Sequence, residues 1–303
     1  MTDVIREDFD TVGEINDPPR RPRSRANTPW SRFTAYRLAF PSLIVLVLLV
    51  AVCVIGPLVY TIDPNAVDPI LYRNPPSSEH LLGTDSAGRD VLARLLHGGR
   101  VSLLIGLVAA IAATFIGVLL GALAGFFRGR TDALLSRITD VVQAFPTLIV
   151  IITLAAFLGP SFGLLIVSMA LMEWTGAYRV VRGLTLSLRE RDAIQAVTGL
   201  GATNWRVISK HVVPSVLGPA TVVATLLTAG VILTEAGLSF LGLGVPPPTA
   251  SWGSMLSEAQ SLQILQTAPW LWLPPGIAIT LTVLSVNFVG DGLRNAVDPR
   301  QES

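Results

Sequence analysis

The sequence predicts an all-α polytopic membrane protein with six transmembrane helices, and three observations carry that prediction. Hydrophobic residues make up 51% of the 303 and charged residues only 14%, whereas soluble domains carry about a quarter charged. Mean hydropathy is accordingly high, at +0.59. Apolar stretches at 38–60, 101–127, 141–158, 162–178, 216–240 and 270–289 each approach or exceed what a hydrocarbon core of ~30 Å requires at ~1.5 Å per residue. Finally, Lys and Arg are distributed unequally between alternate connections, as the positive-inside rule demands.

With the N-terminus inside, the inner segments hold Arg20, Arg21, Arg23, Arg25, Arg32 and Arg37, then Arg128, Arg130 and Arg137, then Arg179, Arg182, Arg189, Arg191, Arg206 and Lys210, and last Arg294 and Arg300. The connections at 159–161 and 241–269 hold neither Lys nor Arg. Only the first outer loop, with Arg73, Arg89, Arg94 and Arg100, opposes the trend, and its five acids offset it. Both termini are therefore expected in the cytoplasm.

Along the chain this gives a disordered cytoplasmic tail at 1–37, a first transmembrane helix at 38–60, an extracytoplasmic loop at 61–100, a five-helix core at 101–290 and a cytoplasmic tail at 291–303. The first tail is acidic, then basic and proline-containing, with no apolar period. The run beginning near Leu38 is longer than the apolar region of a signal peptide and lacks a small-residue cleavage site, so it is expected to remain as a span. Gly117, Gly121 and Gly125 recur every fourth residue, a ridge along which another helix can approach, in this chain or in a second subunit. Pro146 is expected to kink the third span where it enters the lipid.

Polar residues at membrane depth are the first candidates for function. Glu173, near the inner end of the fourth span, Glu235, near the outer end of the fifth, and Asn287 in the sixth each fit a translocation path or gate. The plainer alternative is that the acids snorkel to water or pair with arginines, Arg179 and Arg182 being near Glu173. Enzymatic chemistry has little support. The single Cys53 permits no intrachain disulfide, and His80, His97 and His211 are not placed to share a metal. The cluster Gly83, Thr84, Asp85, Gly88, Arg89, Asp90 lacks the Gly-Lys-Ser/Thr end of a phosphate loop, so no nucleotide site is expected.

One stretch is too charged for lipid and too regular for a casual loop: RERDAIQAVTGLGATNWRVISKHVVP at 189–214. It predicts a helix from Asp192 to Leu200, a break at Gly201, and a second short helix capped by Thr203 and ending before Pro214.

Gln195-Ala196-Val197, three residues, Gly201, nine residues, then His211-Val212-Val213-Pro214 resembles the cytoplasmic loop of bacterial ABC importer permeases, written Glu-Ala-Ala, three, Gly, nine, Ile-x-Leu-Pro. GTDSAGRDVLARLLHGGRVSLLIG (83–106), TEAGLSFLGLGVPPPTASWGSML (234–256) and NFVGDGLRNAVDPR (287–300) are similar to the C-type subunit of the dipeptide, oligopeptide and nickel permeases. The resemblance implies the type I ABC importer permease fold in the bacterial inner membrane. It implies a pore shared with a homologous B-type permease, two ABC ATPases that bind ATP and Mg²⁺, and an extracytoplasmic binding protein, with no cofactor in this chain. It makes 189–214 a coupling element, with Asp192, Ala193, Gln195, Ala196, Val197, Leu200, Gly201, Trp205, His211 and Pro214 as the residues that meet an ATPase. The small face of Ala193, Ala196 and Gly199 suits a groove, and Leu200 and Trp205 suit anchors. Gln195 and Val197 depart from the pattern: the first removes a carboxylate and the second adds bulk. Dipeptides, oligopeptides, nickel chelates and haem all remain open as cargo. A secondary transporter or channel using Glu173 and Glu235 without an ATPase remains as the other class.

Overall fold

The computed structural model describes residues 29–297, and its elements there are helical. In order they are α1 (Pro29–Ala35), α2 (Ala39–Val59), α3 (Val91–Phe127), α4 (Gly129–Ala144), α5 (Thr147–Leu158), α6 (Phe162–Arg189), α7 (Asp192–Gly199), α8 (Asn204–Val207), α9 (Val213–Phe240), α10 (Trp252–Leu256), α11 (Leu262–Thr267) and α12 (Pro269–Val297). Five helices are long and apolar enough to cross a membrane: α2, α3, α6, the continuous Asn204–Phe240 rod containing α8 and α9, and α12. The pair α4 and α5 makes a sixth crossing if taken together, bent by 77°. The bend falls at Pro146, where Phe145 turns extended and cannot continue the helix.

Several boundaries differ from those expected. Residues 29–35, assigned above to a disordered tail, form α1, because Phe33 is buried against Ala39 and Val289. The basic and acidic stretches of 1–28 lie outside the described residues, as do 298–303. The loop after α2, expected to run to residue 100, ends at Asp90, ten residues earlier. The Asp90 carboxylate caps α3 by accepting from the Ala93 amide at 2.7 Å, so 91–100 are the first turns of a 37-residue helix. Arg100 stays in that helix by donating to the Cys53 carbonyl of α2 at 2.8 Å.

The core of the bundle is α3 laid along α6. A Cβ on Gly117 would stand 2.5 Å from the Ala177 Cβ, and one on Gly125 would stand 2.6 Å from the Thr185 Cβ. The glycine ridge therefore serves packing within this chain, and a second subunit has no access to it. α4 lies across α6 and is held there by polar ties. Arg182 grips Asp132 with two nitrogens, Tyr178 shares a 3.0 Å hydrogen bond with Ser136, and Arg179 approaches Asp140 at 3.7 Å.

At the end of the bundle opposite α7, the loop before α3 is a polar knot. Asp85 accepts from the Ala87 and Arg89 amides and from the Arg89 guanidinium at 2.7 Å, and Arg94 adds a 3.4 Å ion pair. Asp90 also accepts from the Tyr60 hydroxyl at 2.9 Å and meets His80 Nδ1 at 2.8 Å. Burial and that carboxylate push the Tyr60 phenol up to about 12. The glycine-rich cluster of 83–90 is thus a folded turn that seats the start of α3.

Candidate functional site

The stretch 189–214 forms the helical hairpin that its spacing predicts, with one difference at its end. α7 begins at Asp192, whose carboxylate sits in the first turn where the helix dipole favours a negative charge. It stops in a Schellman arrangement: Gly201 takes φ +86, its amide reaches the Thr198 carbonyl at 3.0 Å, and the Ala202 amide reaches Val197 at 3.3 Å. Thr203 occupies the next N-cap position, although its side chain makes no capping bond.

The helix that α8 begins does not end before Pro214. It passes through a π-turn, Ile208–Val212, in which the Val213 amide reaches back to Ile208, and continues as α9. Pro214 lacks an amide hydrogen, and the wider turn accommodates it while the preceding residue stays helical. The Ser215 hydroxyl donates to the His211 carbonyl at 2.6 Å within this region. One continuous helical rod therefore runs from the hairpin through the apolar length of α9.

The hairpin is anchored by its apolar side. Ile194, Val207, Ile208 and Val212 are buried against Ala122 and Phe126 of α3 and Val181 of α6. Val197 packs on the same cluster, three residues beyond Ile194 on one helix face, so it faces the body of the protein and not outward. Asp192, Ala193, Gln195, Ala196, Gly201, His211 and Pro214 are exposed, as are Leu200 at 88% and Trp205 at 63%. Gln195 donates its amide to the Glu190 carbonyl at 3.2 Å, a bond a glutamate at this position could not make.

Two contacts that sequence reasoning did not single out lock the hairpin to α3. Arg189 donates to the Phe126 carbonyl at 2.7 Å and covers its ring, and Arg128 bridges to Glu190 at 2.7 Å. Arg128 has φ +56, a conformation unusual for a side-chain-bearing residue. The sharp α3–α4 reversal that imposes it had a signal in the Arg-Gly-Arg run at 128–130.

The membrane acids are not brought together, and their environments are opposite. Glu235 has no solvent exposure. It accepts from Ser239 at 2.7 Å and from Ser102 of α3 at 3.1 Å. Those serines are themselves held: the Trp252 amide donates to Ser102 at 3.1 Å, and Ser251 donates to Ser239 at 3.3 Å. In this arrangement the Glu235 carboxylate, expected in a path or gate, opens onto no path. Its face of α9 is turned to α3, and the carboxylate joins α3, α9 and α10.

Glu173 is twelfth of the 28 residues of α6, near the middle of that helix. The arginines expected to neutralise it are held by Asp140 and Asp132 of α4. Glu173 is half-buried and has no partner among the described residues. Asn287, on α12, is also half-buried and makes no hydrogen bond through its amide among those residues.

Known proteins match this chain over most of its length. Residues 117–303 match the family described as binding-protein-dependent transport system inner membrane component. Residues 26–76 match the N-terminal transmembrane domain of oligopeptide transport permease C. A putative peptide permease of Brucella suis biovar 1 (strain 1330) is 42% identical over 272 residues, covering 90% of each chain. The dipeptide transport system permease protein DppC of Alkalihalophilus pseudofirmus is 38% identical over 294 residues, covering 96% of each. With these matches over nearly its whole length and its bundle of apolar helices, the chain belongs to the binding-protein-dependent transport system inner membrane components.

Proposed function

We propose that this chain forms half of the pore of an ATP-driven importer of dipeptides and oligopeptides, and that the α7–α8 hairpin seats an ABC ATPase. The observation that carries this is the double character of the hairpin. One side is buried in the body of the protein, while Leu200 and Trp205 stand exposed beside Ala193, Ala196 and Gly201. Large apolar side chains in a polar loop, outside the apolar length of the spans, are the kind of anchors a soluble partner buries. The continuous rod Asn204–Phe240 would carry a displacement of that seat directly into the membrane. ATP-driven closure of the partner thereby favours one arrangement of the bundle over the other.

The same reading includes a homologous B-type permease across the pore, two ATPase subunits holding ATP and Mg²⁺, and an extracytoplasmic binding protein that selects cargo. This chain is then a non-catalytic subunit, with the hairpin and both termini in the cytoplasm. The relatives are named for peptides and dipeptides, which favours peptide over nickel chelate or haem. The secondary-transporter alternative loses support from Glu235, whose carboxylate is enclosed by serines.

The test is copurification with the ATPases, followed by ATP hydrolysis and peptide uptake in proteoliposomes. Hydrolysis stimulated by the binding protein, with uptake that needs ATP, is the expected result. Gradient-driven uptake by the chain without any ATPase would overturn the proposal.

A further inference from the structure

Glu173 lies eleven residues beyond the start of α6, about 17 Å along its axis. A half-buried carboxylate at such depth is costly unless water or a cation meets it. None of the described residues does so, because Arg179 and Arg182 are engaged by α4.

Helix geometry identifies what this face looks onto. Seven residues on, Val180 returns to within ~20° of the same direction, about 10 Å further along the axis. Val180 lines a groove of about 420 Å³ with Pro219, Val222 and Leu226 of α9 and Arg294 of α12. Between Glu173 and Val180, Gly176 is exposed, and a Cβ there would meet no atom within 4 Å. Gly176 and Val180 are thus both exposed on the side of α6 that carries Glu173, and the groove begins at Val180, about 10 Å further along the axis. One turn the other way the same side closes, since Met169 is fully buried with Ile151 of α5 and Val231 of α9. Glu173 stands where a sealed helix face becomes an open one.

We propose that Glu173 and the α6–α9–α12 groove beside it form a section of the translocation path, in which the carboxylate receives the ammonium group of a peptide in transit. The ammonium is that of the free N-terminus or of a lysine side chain. This rests on the importer proposal for the identity of the cargo, while the position of the acid and its missing partner do not depend on it. The carboxylate would then favour cationic peptides over anionic ones of equal size.

The test uses the assembled transporter in proteoliposomes. Gly176→Cys places a thiol beside Glu173 in open space, with Gly183→Cys, equally open, as a second probe. The native Cys53 is buried and supplies the unlabelled control. Reaction rates with cationic and anionic methanethiosulfonate reagents are measured on this chain. Both reagents are expected to react, the cationic one faster, and adding Glu173→Gln should lower the ratio of rates about tenfold. Glu173→Gln should also slow uptake of a lysine-containing dipeptide several-fold more than that of a glutamate-containing one.

No reaction with either reagent would place this face against lipid and overturn the inference. Reaction in the isolated chain alone would mean that the second permease covers it, with the same consequence. An unchanged ratio would overturn it as well. A wild-type transporter that takes up no peptide would instead defeat the importer proposal, and the rate ratio would still decide whether the groove is a path.

Discussion

A Cβ on Gly121 would stand 2.8 Å from the carbonyl oxygen of Tyr178, so α3 and α6 meet backbone to backbone at that point. No rotamer change can relieve a clash with a carbonyl. Gly121→Ala is therefore expected to destabilise the chain by ~1–3 kcal/mol, the usual range for overpacking. Gly163→Ala in α6, where an added Cβ meets no atom within 4 Å, should be neutral or slightly stabilising. Thermal unfolding of the purified variants compares the two.

Glu235 ties three elements together through Ser102 and Ser239, and its loss leaves two buried hydroxyls without their acceptor. Glu235→Leu is expected to cost ~2–4 kcal/mol, and Glu235→Gln, which retains one oxygen acceptor, less than half of that. If Glu235→Leu unfolded at the wild-type midpoint, the structural role assigned to this acid would be wrong.

Leu200 and Trp205 are exposed, so their removal should leave folding intact. Trp205→Ala is expected to weaken binding of the ATPase by ~2 kcal/mol, roughly thirtyfold, and Leu200→Ala by somewhat less. Titrating detergent-solubilised permease with the ATPase subunits measures both. Gly201→Val tests the hairpin in another way, because φ +86 disfavours a β-branched residue and the α7 stop should fray.

Tyr60 gives a signed pH dependence. Its folded-state value of about 12 lies above the ordinary phenol value of 10.0, so the unfolded chain loses this proton first as pH rises. The associated stability is whole below pH ~10 and is lost as pH climbs from there toward 12. Tyr60→Phe lacks the titrating proton, so wild type should lose stability relative to it across that window. Parallel unfolding-midpoint curves for the two proteins between pH 9 and 12 would contradict this assignment.

Two prolines show how far local chemistry reaches. At Pro146 the expected kink is present as the 77° bend between α4 and α5. At Pro214 the same residue type does not end the helix, because the π-turn at Ile208–Val212 widens the backbone ahead of it. Val213 therefore remains helical, with φ −55 and ψ −50. Residue identity announces the missing amide in both cases, and only the neighbouring turn decides whether the chain breaks or adapts. α1 is not legible in the sequence for a related reason: its apolar residues Trp30 and Phe33 span one turn, and the significance of Phe33 lies in the α12 surface it covers.

Hydropathy and spacing alone carry the apolar crossings, the polar hairpin between the fourth and fifth of them, and its division at Gly201. Each of these depends on local physics, namely the cost of placing charge in lipid and the freedom of glycine at positive φ. Side-chain partners do not follow from local physics, because they depend on how helices rotate against one another. Glu173 and Glu235 look alike along the chain. Packing turns one toward Ser102 and Ser239 and the other toward an open face, while Asp132 and Asp140 of α4 take the arginines that sequence proximity offers to Glu173.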